Sequence, residues 1–186
     1  MTIGFALTGS FCTHAKVLPI LEKLAQDYEL VPILSPIVTQ TDTRFGSADS
    51  LIRRITQICG REPLSTIPQA EPIGPKKLLD ALVIAPCTGN TLAKLSHGIA
   101  DTSVTMAAKS HLRNGRPVVI AVSTNDGLGA AAENIGRLLN RKHYFFVPFG
   151  QDDPQEKPTS LVADFDQLPQ TLALALEHKQ IQPLLL

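Results

Sequence analysis

Ala81-Leu82-Val83-Ile84-Ala85-Pro86-Cys87-Thr88-Gly89-Asn90-Thr91 decides the fold. Its first five residues are an unbroken apolar run, the pattern of a parallel strand buried on both faces. Pro86 ends the run. A small residue, hydroxyls, a glycine and an amide follow, and Leu92-Ala93-Lys94-Leu95 then opens a helical pattern. A strand, a tight polar turn and a helix start thus follow one another without a gap. In an open α/β sheet, ligands collect outside the carboxyl ends of strands, where helix N-termini aim free N–H groups at anions. The turn therefore reads as one wall of a nucleotide-type site.

The same pattern recurs on both sides. Residues 2–8 form an apolar run that ends in Thr8-Gly9-Ser10-Phe11-Cys12-Thr13. Thr13 is a candidate cap for a helix in which Leu18, Ile20, Leu21 and Leu24 recur at helical spacing. Pro19 is tolerable there only near the first turns. Residues 30–38 read as a second strand weakened by two prolines. The polar stretch from Thr39 to Ser47 then leads into a helix with Leu51, Ile52, Ile55 and Ile58 on one face, stopped by Gly60. Residues 64–67 make a short third strand, and residues 76–79 a helical turn. After the central strand come a helix to Gly98 and another over 103–114. A strand over 116–122 opens into Ser123-Thr124-Asn125-Asp126-Gly127-Leu128-Gly129 and a helix to about Arg141. Residues 143–147 are a sixth strand, 150–163 a polar arm or lid, and 165–179 a last helix.

Strands alternating with helices predict a parallel sheet covered on both faces, with right-handed crossovers. The expected architecture is a single α/β domain over residues 1–186. It is a three-layer, doubly wound, Rossmann-like or flavodoxin-like fold with a mostly parallel six-stranded sheet. In chain order of the predicted strands the sheet runs 3-2-1-4-5-6.

Composition narrows the function. Seventeen basic residues balance seventeen acidic ones, 44% of residues are hydrophobic, and mean hydropathy is +0.09. No basic block interleaved with aromatics points to nucleic acid. No segment approaches the ~20 apolar residues of a membrane span, and the chain opens on a strand without the basic n-region of a signal peptide. Three cysteines with no C-x-x-C pair point to a reducing cytoplasm. The five histidines lack metal-ligand spacing, so no metal is expected.

Three strand ends carry small or hydroxyl residues: Thr8-Gly9-Ser10, Pro86 to Thr91, and Ser123-Thr124-Asn125. In the predicted order the first two strands are neighbours at the switch point and the third lies alongside. Single loops of this kind often only cap helices; three on one edge favour a site. Gly127-Leu128-Gly129-Ala130-Ala131-Ala132 matches G-x-G-x-x-A. It follows the fifth strand and lacks the acidic partner, so close helix packing competes with a pyrophosphate loop. Arg44 is a candidate bidentate partner for a phosphate or carboxylate, or an ordinary solvated arginine. Lys76, Lys77 and Lys157 pose the same choice. Cys87 is either a thiol activated at a helix N-terminus or a small turn residue. His14 is either an acid/base or a histidine on the exposed start of a helix.

At Pro86-Cys87-Thr88-Gly89-Asn90-Thr91 the chain resembles the Pro-Ala-Ser-Ala-Asn-Thr motif of the flavin-dependent cysteine decarboxylase superfamily. Thr8-Gly9-Ser10 is similar to that superfamily's first phosphate-side loop. The resemblance extends to one branch, the dipicolinate synthase B subunits. It is carried by Cys12-Thr13, Thr41 to Gly46, Ile84-Ala85-Pro86, Leu112 to Gly115, Ala121 to Asp126, Phe146 to Asp152, and Lys157-Pro158.

The resemblance implies a homo-oligomer with FMN at a subunit interface, or an FMN-shaped pocket left empty. It implies cofactor contacts from Thr8, Gly9, Ser10, Phe11, Thr39, Pro86, Cys87, Thr88, Gly89, Asn90, Thr91, Ser123 and Thr124. Arg44, Asn125 and Lys157 are the implied substrate contacts. The implied activity is oxidation of a dihydrodipicolinate-type dicarboxylate in sporulation. It would run with the dipicolinate synthase A subunit, which is dehydrogenase-like and binds NAD(P). The alternatives are an independent FMN-dependent decarboxylase or flavin-modifying enzyme, and a non-catalytic stabilising subunit. The superfamily's Pro-x-Met-Asn motif is replaced by Val122-Ser123-Thr124-Asn125-Asp126, which argues against decarboxylation. Only Asn125 carries over from it, and the superfamily's catalytic histidine has no counterpart.

Overall fold

The computed structural model describes residues 1–186. Five strands run parallel: β1 (Thr2–Leu7), β2 (Glu29–Leu34), β3 (Ala81–Cys87), β4 (Val118–Thr124) and β5 (Tyr144–Phe146), in spatial order β2-β1-β3-β4-β5. All seven residues of β3 are buried, as a strand between two parallel neighbours and two helical layers requires. The chain leaves β1 toward β2 and leaves β3 toward β4, so the switch point lies between β1 and β3.

The expected order holds, with two differences. The predicted third strand shrinks to one parallel bridge, Leu64 against Ile33. Pro32 has no N–H for a further rung, and Thr66 turns the chain into α4 (Ile67–Ala70) through a capping box. The sheet also gains two short strands, β6 (Phe149–Gly150) and β7 (Leu161–Ala163). β7 runs antiparallel to Ser123 and Thr124 of β4 and pairs with β6. The 150–163 stretch, expected to be an arm without elements, is thus a loop whose return leg is a strand.

Helix α1 (His14–Asp27) packs against α3 (Ala48–Cys59) and α8 (Leu168–Leu176). Helix α6 (Ser103–Leu112) packs on β2 and β3, and α5 (Gly89–His97) on α7 (Ala132–Leu139). Ser47 caps α3, Thr88 caps α5, and Gly60 and Gly98 close these helices with positive φ. No helix is long and apolar enough to cross a membrane.

Four boundaries move for local reasons. The second strand stops at Leu34, because Pro36 takes the first position of α2 (Pro36–Gln40), where its fixed φ and missing N–H suit a helix start. Thr13 does not cap α1 through its side chain; its hydroxyl donates to the Ser10 carbonyl at 2.8 Å. The helix expected after Gly129 begins only at Ala132, because residues 126–131 form turns closed on the Asp126 carbonyl. The last helix opens with a 3-10 turn, Phe165–Gln167, and ends at Leu176.

The G-x-G-x-x-A match acquires a structural meaning. A Cβ on Gly127 would lie 2.6–2.7 Å from three Leu161 side-chain atoms. The glycine admits β7, not a pyrophosphate and not a helix. Gly127→Val is therefore expected to cost about 1–3 kcal/mol from overpacking, measured by urea denaturation. An unchanged midpoint would remove this role.

Candidate functional site

Side chains tie the three polar loops to one another. Thr8 Oγ1 donates to the Pro86 carbonyl at 2.7 Å and accepts from the Thr88 N–H at 3.1 Å. Ser10 Oγ and Ser123 Oγ share a hydrogen bond at 2.8 Å. Thr8 is 1% and Ser123 4% exposed, so these bonds lie mostly out of competing water. They fix the ends of β1, β3 and β4 against one another at the switch point.

The Thr88–Thr91 turn is built for close approach. Thr88 Oγ1 accepts from Thr91 N at 3.4 Å and meets Thr91 Oγ1 at 3.1 Å. A Cβ on Gly89 would lie 2.8 Å from Thr124 Oγ1 and 2.9 Å from Asp126 Oδ1. Thr124 in turn donates to Asp126. Asn90 is exposed and makes no side-chain hydrogen bond within the chain, so its amide is free. Pro86 and Cys87 differ from this turn. Both are buried, and burial pushes the Cys87 thiol far above its usual range. Cys87 is a core residue, not an activated nucleophile, and only its backbone reaches the loop.

The end of β2 adds a residue that the sequence reading missed. Ser35 is 7% exposed and its Oγ has no partner. A buried hydroxyl without a partner is uncommon and calls for an explanation. The Ser35-Pro36 pair is a legible signal, since Ser before Pro marks a helix start. Gly9 sits close by: a Cβ there would lie 2.9 Å from Ile37 Cγ2 in α2. Thr39 turns away, with its hydroxyl donating to the Pro36 carbonyl of its own helix at 3.0 Å. Phe11 is half-buried against the core.

The other candidates divide. Arg44 is exposed, with its guanidinium 4.9 Å over the Phe45 ring. Asn125 is exposed at the end of β4, and its carbonyl accepts from Thr159 Oγ1 at 2.7 Å. That bond holds the loop containing Lys157 beside Asn125, and Lys157 pairs with Asp152 at 3.7 Å. β2 and β4 are separated by β1 and β3, three interstrand spacings or ~14 Å. Asn125 and Lys157 thus share one flank and Arg44 lies on the other. Lys76 and Lys77 precede β3, at the opposite edge of the sheet. His14 is not on an exposed helix start. It is 6% exposed, its Nε2 donates to the Thr8 carbonyl at 2.8 Å, and burial holds its pKa below the ordinary value.

Small side chains and a free amide at the α5 N-terminus, with a lone buried hydroxyl at the end of β2, are features of a phosphate-bearing ligand site. The Flavoprotein family model matches residues 1–167. The dipicolinate synthase B subunit of Bacillus subtilis (strain 168) is 49% identical over 184 residues, covering 98% of this chain and 92% of that one. The crystal structure of the dipicolinate synthase B subunit from Bacillus halodurans C matches with a TM-score of 0.91 at 46% identity. It covers 100% of this chain and 95% of that one. Burkholderia xenovorans DmrB, described as a cubic protein cage for redox transfer in complex with FMN, shares the fold. Its TM-score is 0.72 at 19% identity, over 95% of both chains. The chain therefore belongs to the Flavoprotein family, and within it is similar over nearly its whole length to dipicolinate synthase B subunits.

Proposed function

We propose that this chain is the flavoprotein-like B subunit of a cytoplasmic dipicolinate synthase. It acts with a dehydrogenase-like, NAD(P)-binding A subunit to oxidise a dihydrodipicolinate-type precursor to dipicolinate during sporulation. The observation that carries the reading is the 49% identity over 98% of the chain, a span that includes all three polar loops and the Asn125 flank.

The residues present fit FMN. Ser35 Oγ is a buried donor with no partner inside the chain. Gly9 admits Ile37, and Gly89 admits Thr124 and Asp126, so these loops pack closely on their neighbours. When bound, FMN supplies two-electron redox chemistry. Around it, Thr8 holds the β1 and β3 loops in register, while Gly9, Ser10, Phe11 and Ser35 line the β1–β2 side. Thr88, Gly89, Asn90, Thr91, Ser123 and Thr124 line the other, with Pro86 and Cys87 contributing backbone only. Asn125 and Lys157 orient a dicarboxylate on the β4 flank. Arg44, in the loop that follows β2 and α2 on the other flank, meets that substrate from a neighbouring copy, in keeping with a homo-oligomer that completes the site between copies.

The test is to purify the chain alone and together with its dehydrogenase-like partner, then record the visible flavin spectrum and precursor turnover. Flavin retained by the chain, and turnover that needs both proteins, are expected. A colourless protein that never takes up FMN would remove the flavin assignment. Full turnover by the partner without this chain would leave a stabilising role, and turnover by this chain alone an independent enzyme.

Two substitutions probe the cradle. Asn90→Ala removes an amide with no internal partner, so it should weaken FMN retention and leave the melting temperature unchanged. Ser35→Ala removes an unsatisfied buried hydroxyl whose burial costs roughly 1–3 kcal/mol. It should raise apo-protein stability while FMN retention falls, measured by urea denaturation and flavin release.

A further inference from the structure

A hollow of about 400 Å³ lies between the C-terminal ends of α5 and α6 and the start of β5. This is the edge of the sheet opposite the polar loops. Strands β3 and β4 each run seven residues from one edge to the other, a distance of ~20 Å. No residue of the joined loops contributes to the wall. Small-molecule sites occupy roughly 300–1,000 Å³, so the space suits one compact ligand.

The wall divides by chemistry. Leu95, Ile99 and Leu112 make an apolar side, with Ile99 49% exposed at its lip. Lys109, Arg113 and Arg141 bring three positive charges, and no carboxylate lines the hollow. Lys109 lies in α6 and Arg113 is its C-cap, four residues on. They share one helix face, where like charges repel. Neither takes part in an ion pair of the chain. Arg141 is held in place, donating to the Leu95 and Ser96 carbonyls at 3.2 and 2.6 Å, with further N–H groups left over. Two helix C-termini favour cations, which accounts for basic residues here. They do not account for Tyr144. Its side chain lines the hollow and is 9% exposed, and its hydroxyl has no partner in the chain. Burial pushes its pKa up to about 12, so the hydroxyl keeps its proton and stands as a donor. A donor this buried calls for an acceptor.

We infer that this hollow binds an organic phosphate monoester with a compact apolar body. The body lies on Leu95, Ile99 and Leu112. The phosphate sits between Lys109 and Arg113 and accepts from Arg141 and the Tyr144 hydroxyl. A phosphate carries up to two negative charges and three strong acceptor oxygens. It therefore offsets a cluster that one carboxylate would leave strongly positive, and it gives each donor an oxygen. Binding there does not depend on the flavin reading.

The test is isothermal titration calorimetry of the full-length chain with four probes: phenyl phosphate, inorganic phosphate, benzoate and phenol. Phenyl phosphate, with both a ring and a dianion, is expected to bind most tightly. Benzoate should be about tenfold weaker, inorganic phosphate weaker for want of the ring, and phenol silent. Lys109→Gln and Arg113→Gln, both at exposed positions, should each weaken phenyl phosphate about tenfold. Tyr144→Phe keeps the buried ring, so it should weaken binding by a similar factor and leave the melting temperature unchanged. Lys76→Gln removes a charge outside the wall, and Ser35→Ala alters only the flavin cradle. Neither should change phenyl phosphate binding. FMN retention, followed separately, should be unchanged in Arg113→Gln, so failure of the flavin assignment and failure of this one are distinguishable. Absence of phenyl phosphate binding, or equal weakening by Lys76→Gln and Arg113→Gln, would overturn the inference. So would binding lost in Ser35→Ala and kept in Arg113→Gln, which would seat the phosphate in the cradle.

Discussion

Thr8→Val should lower stability by roughly 2–4 kcal/mol. The substitution keeps shape and removes one hydroxyl. That hydroxyl donates to the Pro86 carbonyl and accepts from the Thr88 N–H, at a position 1% exposed. Both backbone groups would lose their partner, and each buried group left unsatisfied costs about 1–3 kcal/mol. For a domain of this size the change corresponds to a fall of roughly 5–15 °C in melting temperature. The same loss uncouples the β1 and β3 loops, so FMN retention should fall with it. Thr8→Ser keeps the hydroxyl and should recover most of both. A Thr8→Val protein that melts like the wild type would show that the loops are held by other contacts.

Acid should weaken the fold through His111 well before most carboxylates titrate. The side chain is fully buried in α6, with Nε2 donating to the Pro117 carbonyl at 3.1 Å and Nδ1 without a partner. Burial, ahead of the nearby Arg116, lowers its pKa from 6.5 to about 4. The folded value is depressed, so the unfolded chain binds a proton first as pH falls. Stability is then whole above pH 6.5 and lost progressively between 6.5 and about 4. At 1.36 kcal/mol per unit the loss amounts to roughly 3 kcal/mol. Buried His14, whose pKa is lowered in the same direction, adds to it. His111→Gln keeps a donor for Pro117 and cannot titrate, so its urea midpoint should fall much less over that range. Equal pH slopes in the two proteins would place the acid sensitivity elsewhere.

Much of the architecture is legible locally. The unbroken apolar run at 81–85 could only be a doubly covered strand, and Ser47, Thr88, Gly60 and Gly98 mark helix ends by chemistry that acts over one turn. Ser35-Pro36 carries the same kind of signal, but apolar residues on both sides of it fit a continuing strand equally well. His14 could not be placed that way. Its burial depends on the Thr8 carbonyl and on Phe11, neither of which a helix-start pattern reveals. β7 is equally hidden. Three residues after a polar loop have no periodicity to detect, and they become a strand only because β4 offers its edge at Ser123 and Thr124.

The turn at 86–91 shows where the division falls. The sequence alone determined that a strand ends there, that a helix begins there, and that small polar residues surround the junction. Those are properties of covalent neighbours. Only the tertiary structure decided which groups are already satisfied. Thr8 is engaged with the neighbouring β3 loop, Ser35 and Asn90 are left without side-chain partners, and Arg44 follows β2 while Asn125 follows β4, with β1 and β3 between those strands. Hydrogen bonds between loops far apart in the chain, and the strand order that separates them, exist only once the sheet has formed.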